Sequence, residues 1–214
     1  IQDPSLLELI KKTAYDQFYN EHIYVFSYLS LSNILKKHNL EIFHLENIDV
    51  HGGSIRYYIK KKISKFKITK SVNIQKNLEM KSGLHKFSTY KEFRTKVEKS
   101  KKKLIKIFTG LKSKNKKVIG YGATAKAVTV LNYCKVGSDY IDYFLDTTPE
   151  KQNKFMPGVK ILVKKYIKLN ANKVDYVFLG AWNFKKEIFS KEKKFLKQKG
   201  KFITHVPFPK VISL

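Results

Sequence analysis

The chain has 214 residues, 43% of them apolar, enough for one large globular domain or two small ones. No apolar run approaches the ~20 residues that span a bilayer, no secretory signal is visible, and Cys134 is the only cysteine. An internal disulfide is therefore excluded, a cysteine-based zinc site is disfavoured, and a reducing cytoplasm is the expected location. The formal net charge of +27 points to a polyanionic partner, but only Arg56 and Arg94 of the 44 basic residues are arginine. Base readout favours the flat guanidinium fork, so the lysines read as a solvated surface rather than a dedicated nucleic-acid face. Against that background Arg56 invites a geometric role, pairing bidentately with a carboxylate or a phosphate.

In chain order, Asp3 is expected to cap a first helix, with Pro4 at its first position and Leu6, Leu7, Leu9 and Ile10 inward. A polar-aromatic segment covers 15–27. Ser30 is expected to cap a second helix through about Lys37, with Leu31, Ile34 and Leu35 inward. Residues 40–45 and 55–59 read as antiparallel strands joined by the His51-Gly52-Gly53-Ser54 turn. Residues 63–115 are lysine-rich and helical in pattern. Thr89 with Glu92 forms a capping-box signature, and Phe93, Val97, Leu104, Ile105, Phe108 and Leu111 recur at helical spacing.

From Lys116 the pattern turns to strands alternating with helices: strand 118–119, helix 123–133 (with Cys134 beyond it as a core residue), and strand 140–145 ending at Asp146. A loop with Pro149, Pro157 and Gly158 follows, then strand 174–179, helix 183–199 and strand 202–206. Apolar strands alternating with helices predict a mainly parallel sheet covered on both faces. The fold class expected is therefore α/β, with three segments: 1–62 as the last helices and hairpin of an incomplete domain, 63–115 as a helical connector, and 116–214 as a doubly wound domain.

Three motifs carry candidate chemistry. Gly120-Tyr121-Gly122-Ala123-Thr124-Ala125 is a G-x-G-x-x-A at a strand-to-helix turn, where helix N–H groups meet a phosphate, and Asp146 stands where a ribose-binding acid would lie. The same turn with no nucleotide bound is the alternative. Tyr19-Asn20-Glu21-His22 places a histidine beside a carboxylate and a phenol, able to remove a proton near neutral pH. His51-Gly52-Gly53-Ser54-Ile55-Arg56 lets a ligand or a backbone approach closely, or is a plain hairpin turn.

These motifs occur together and in order, with Tyr15 to Asn20 leading into Glu21-His22, then Tyr24, Phe26 and Ser27. Lys126, Leu131-Asn132-Tyr133, Lys151-Gln152, Pro157-Gly158, Ala181-Trp182-Asn183-Phe184 and Gly200-Lys201-Phe202 complete the series. The set resembles the SAM-dependent C-methyltransferases that act on nucleotide-linked deoxy-keto-sugars, across most of the chain except the connector. Such proteins have a cysteine-rich zinc-binding N-terminal domain, a central SAM-binding domain and a C-terminal Rossmann-like domain that helps hold the sugar nucleotide. The resemblance implies that this chain begins inside the central domain; it starts at Ile1 rather than Met, and a truncation would explain both. The zinc cysteines and the SAM glycine loop have no counterpart here, since Gly52 and Gly53 are the only glycines before Gly83. Asn20 replaces the first histidine of the usual Tyr-His-Glu-His, and Asn153 stands where glycine usually follows Lys-Gln.

By the same resemblance the substrate would be an NDP-4-keto-deoxyhexose and the methyl donor SAM, with no metal bound in this portion. His22 would remove the C3 proton, Glu21 would orient it, and Tyr19 would steady the enolate. His51 and Arg56 would lie near the sugar or its phosphates, and Gly120, Gly122 and Lys126 would contact substrate in the C-terminal domain. The alternatives are a non-catalytic sugar-nucleotide-binding module and an NAD-binding oxidoreductase domain using the Gly120 turn and Asp146. Neither a specific nucleic acid nor a membrane is an expected partner. The open edge of an incomplete sheet would favour self-association.

Overall fold

The computed structural model describes residues 1–213. It divides into two compact units, one of Ile1–Ala14 with Asn20–Lys96, the other of Tyr15–Tyr19 with the chain from Val97 onward. The connector expected over 63–115 is thus shared between them.

In the first unit β1 (Gln2–Pro4), β2 (Leu40–Ile48) and β3 (Ser54–Lys61) form an antiparallel sheet in the order β1-β3-β2. The hairpin is longer than the sequence pattern indicates, and β1 lies along the β3 edge. Asp3 sits in that strand rather than capping a helix. Its carboxylate accepts the Phe26 N–H at 3.2 Å, and Ser5 caps α1 (Leu6–Lys12) instead. At α2 (Tyr28–Lys36) the cap is Ser27; Ser30 is its reciprocal partner three residues on, completing a capping box. A buried carboxylate reinforces this helix start: Glu79 of α3 (Lys70–Lys81) accepts the N–H groups of Tyr28 at 2.8 Å and Leu29 at 3.0 Å. Those donors have no partner within their own helix, and a negative charge suits that end of it. Leu31, Leu35, Ile42, Leu45, Ile55, Tyr57 and Val72 form the core.

The long helix α4 (Phe87–Lys112) begins before Thr89, whose hydroxyl donates to the Gly83 carbonyl at 2.8 Å, so Thr89 lies within the first turn rather than capping it. The helix runs on into the second unit, where Ser100, Leu104, Phe108 and Leu111 are its buried stripe. No helix among the described residues is long and apolar enough to cross a membrane.

The second unit holds a six-stranded sheet of β4 (Val118–Tyr121), β5 (Phe144–Asp146), β6 (Val163–Lys165), β7 (Tyr176–Leu179), β8 (Lys201–Thr204) and β9 (Lys210–Ile212). Their order is β6-β5-β4-β7-β8-β9; all neighbours are parallel except β8 and β9. This is the expected α/β doubly wound sheet, in which the strand order reverses between β4 and β7. The helix α5 (Ala125–Cys134) follows β4, capped by Thr124, and Cys134 is buried. Two short strands, β6 and β9, were not legible in the sequence. The helix expected over 183–199 is broken into a 3-10 turn at Trp182–Phe184, α6 (Lys185–Lys191) and α7 (Lys193–Lys197). The break falls at Glu192, whose carboxylate turns inward to the Tyr166 hydroxyl at 2.6 Å and the Leu169 N–H at 3.2 Å.

Glycine is required where elements meet. A Cβ on Gly120 would lie 2.3 Å from the ring of the fully buried Phe144, whereas one on Gly110, inside α4, would meet nothing within 4 Å. Gly120→Ala is expected to cost about 1–3 kcal/mol by overpacking. Gly110→Ala is expected to add about 0.5–1 kcal/mol through helix propensity, both measured by urea unfolding.

Candidate functional site

At the carboxyl ends of β4, β5 and β7 the second unit opens a crevice of about 340 Å³. The strand-order reversal puts it there, because the connections after β4 and β7 depart to opposite faces of the sheet. Gly122 and Thr124 line it from the glycine-rich turn, Asp146 from the end of β5, Thr148 and Lys151 from the segment after it, and Phe184 and Lys191 from the segment after β7. Gly122 has φ +82°, and a Cβ there would meet the Ala181 methyl at 2.7 Å. The turn thus combines a left-handed backbone with a close approach that only glycine allows.

Asp146 fastens this turn. Its Oδ2 accepts the Ala123 N–H at 2.7 Å and its Oδ1 the Thr148 N–H at 2.8 Å, with the Lys151 ammonium 3.7 Å from Oδ2. Burial alone would raise the carboxyl, but the Thr148 bonds, the Lys151 charge and the Ala123 N–H outweigh it and hold it below the usual carboxylate range. Both oxygens of the expected ribose acid are therefore engaged within the protein. At the crevice wall the hydroxyls of Tyr121 and Tyr166 reach the buried Glu192 carboxylate. Burial, together with Glu192, pushes the Tyr166 phenol up to about 12, and burial raises Tyr121 as well.

Of the residues expected to contact substrate in this unit, Gly122 lines the crevice; Gly120 and Lys126 do not. Gly120 serves the packing against Phe144. Lys126 is 5% exposed, and its ammonium lies over the Trp182 ring, 5.2 Å from the centroid. Burial lowers its pKa and the charge of nearby Asp16 opposes that. Asp16, fully buried in the 3-10 turn Tyr15–Gln17, accepts the Trp182 indole N–H, and His205 Nε2 lies 3.0 Å from the same oxygen. Tyr19, half-buried, belongs to this unit.

Glu21, His22, His51 and Arg56 belong to the first unit. Glu21 is exposed and His22 partly buried, in the irregular stretch before α2. The structure brings His22 and His51 together edge to face, ring centroids 6.1 Å apart, with His51 at φ +56° in the hairpin turn. Burial raises the Asp3 carboxyl, while the Phe26 N–H and the charge of His22 oppose the rise. Arg56 faces its cross-strand neighbours: Nε and Nη2 both donate to Gln2 Oε1, at 3.2 and 3.0 Å, and Nη1 lies 3.8 Å from Glu46. Two nitrogens of its fork thus converge on a single amide oxygen. Sequence reasoning passes over Thr148, Lys191, Glu192 and His205, which have no motif spacing. Only the placement of Asp16 inside a strongly patterned segment could single it out. No cluster of three or more His, Cys, Asp or Glu suited to a metal ion occurs among the described residues.

A doubly wound sheet, a glycine-rich first turn and a crevice at the order reversal together define a Rossmann-like domain. The family model for the C-methyltransferase C-terminal domain matches residues 49–207, and the chain belongs to that family. The matched region takes in β3, α3 and α4 as well as every parallel strand. The chain is also 33% identical, over 213 residues, to the C-methyltransferase NovU of Streptomyces niveus. That alignment covers all of this chain and 51% of the relative, so the chain spans about half the length of the curated protein it matches.

The Asp146 geometry has a measurable signature. A carboxyl held low in the folded state stabilises fully above its unfolded pKa, ~3.9, and loses that contribution as pH falls. Asp146→Asn should cost about 1.5–3 kcal/mol at pH 7, from weakened charge-assisted bonds. The gap to the unmodified chain should close below about pH 4, followed by urea unfolding across pH.

Proposed function

We propose that this chain is the substrate-handling part of a SAM-dependent C-methyltransferase that acts at C3 of an NDP-4-keto-deoxy sugar. The family match over 49–207 carries this reading, and the relationship to a protein called a C-methyltransferase supports it. The residues in hand do not fit the methyl donor. The first unit has only antiparallel strands, and its one glycine pair, Gly52-Gly53, lies in a hairpin turn where a Cβ on Gly53 would sit 3.0 Å from Glu8. In this reading the donor is held by residues outside this chain, and no step is drawn through it.

What the chain supplies is binding and proton removal. The sugar nucleotide occupies the crevice, its diphosphate facing the Lys151 and Lys191 ammonium groups and the Gly122–Thr124 turn. His51 and Arg56, in the first unit, are assigned to the sugar or its phosphates by the family relationship alone. The C4 ketone acidifies the C3–H; a His22 ring nitrogen takes that proton, and the bonding pair moves toward the ketone oxygen to form an enolate. Glu21 orients the imidazole, and the Tyr19 hydroxyl donates to the oxygen as charge develops there. A non-catalytic sugar-nucleotide-binding module is the second reading, favoured by the lack of donor-fitting residues. An oxidoreductase using NAD is less well supported, because Asp146 is engaged with Ala123 and Thr148.

Enolisation needs no donor, so the chain alone tests it. Incubated in D₂O with a dTDP-4-keto-deoxyhexose, it should exchange the C3 proton for deuterium, followed by NMR. His22→Gln should slow that exchange by about 10²–10⁴-fold. Binding without exchange in the unmodified chain would leave the binding-module reading in its place.

A further inference from the structure

We propose that Asp16 is a positioning residue, locking the segment that carries Tyr19 onto the lip of the second unit's crevice through Trp182; this rests on the roles proposed above for Tyr19 and the crevice. Asp16 is 0% exposed, and a buried carboxylate is costly unless its charge is matched. Here Oδ2 is matched by Trp182 and His205 with Lys126 nearby, while Oδ1 has no hydrogen-bond partner among the described residues. Trp182 donates its indole N–H and opens the turn between Ala181 and Phe184, both of which line the crevice. Lys126, over the indole face, stands in the first turn of α5, directly after the glycine-rich loop. His205, 3.0 Å from Asp16 Oδ2, stacks on Phe178 of β7 with ring centroids 5.7 Å apart.

Adhesion alone does not require this arrangement. Tyr15, next in the chain, packs on Tyr133 at 5.5 Å between centroids and edge-on to His205 at 6.3 Å. An apolar residue at position 16 would bury as well, so burial alone does not call for a carboxylate there. What the carboxylate adds is direction. Its bond to the indole N–H fixes the rotation of the Tyr15–Gln17 turn, and Tyr19 follows two residues after that turn ends. A ligand that settles against Ala181 and Phe184 therefore bears on the same turn that orients Tyr19.

Trp182→Phe keeps the ring and removes the donor; Asp16→Asn keeps the shape and an acceptor oxygen and removes the charge. In the ligand-free chain, Trp182→Phe should speed amide hydrogen exchange over 15–22 by about tenfold or more while β4, β7 and β8 stay protected. With substrate at saturation, C3 deuterium exchange should fall about 10–100-fold, while dTDP affinity by calorimetry changes by less than about threefold. Asp16→Asn, which can still accept from the indole, should fall between Trp182→Phe and the unmodified chain.

Unchanged amide exchange over 15–22 in Trp182→Phe would overturn the proposal. So would a loss of dTDP affinity that matches the loss of C3 exchange, which would make the pair a binding element. Loss of protection throughout the second unit in both variants would also overturn it, by reducing the pair to general stability. If the unmodified chain exchanges no C3 proton, the enolisation reading fails, and amide exchange alone decides whether Asp16 holds the segment.

Discussion

Strands β4 and β7 leave the sheet so close together that a methyl group on Gly180 would lie 2.2 Å from the Gly122 carbonyl oxygen and 2.8 Å from the Ala127 side chain. The crevice exists because this approach is possible. With β4 and β7 ending in contact, the chain turns outward on both sides of the order reversal and leaves space at the strand ends. Gly120 lets β4 lie against Phe144, Gly122 makes the left-handed turn beside Ala181, and Gly180 lets β7 close on β4. Asp146 then reaches across from β5 and holds the Ala123 N–H, so the loop is fixed before any ligand arrives. In this domain the fingerprint glycines are packing requirements first. Any use toward a phosphate would be built on that packing.

The sheet of the second unit is readable because its strands are short, continuous apolar runs between helices of clear period. Gly120 to Ala125 announces the turn, and the parallel order follows from the alternation. What escapes reading depends on contacts between residues far apart in the chain. Asp3 and Pro4 read as a helix start, yet strand pairing with β3 takes them into the sheet and leaves Ser5 to cap. Ser27 and Ser30 both belong to one capping box, and propensity alone does not say which comes first. Glu192 breaks a helix that its local sequence supports, because an inward carboxylate satisfies Tyr166 and Leu169. Asn153 is the opposite case: its φ of +61° explains why a glycine suits that position, and asparagine tolerates the conformation.

The same logic governs the candidate site. Lys126 reads as a cation one turn into a helix near a glycine loop, but burial beside Trp182 and Asp16 gives it structural partners instead. Arg56 is expected to pair bidentately with a carboxylate or a phosphate; instead two of its nitrogens converge on one amide oxygen, that of Gln2 across the strands, with Glu46 3.8 Å from the third. The cations that reach the crevice, Lys151 and Lys191, do not stand out in a sequence so rich in lysine. Composition hides them, and only the fold distinguishes them. Glu79, Asp146 and Glu192 act alike, because each carboxylate receives backbone N–H groups where the chain is irregular or a helix begins. Such charge-assisted bonds are worth about 1.5–3 kcal/mol each, more than a neutral pair.

That inward use of acids changes the outside of the molecule. Among the described residues, Asp16, Glu79, Asp146 and Glu192 are buried, four of seventeen acids, while Lys126 is the single buried residue among forty-four lysines and arginines. The solvent therefore meets a charge imbalance steeper than the composition states. Ions in the surrounding electrolyte must condense around this shell to offset its self-repulsion, over a screening distance of about 8 Å at physiological ionic strength. Any anionic ligand diffusing toward the crevice would enter an attractive field well before it touched the crevice walls. The field would draw any other polyanion as well, in proportion to its charge, so discrimination among ligands of like charge falls to the walls of the crevice and not to the charge that surrounds it.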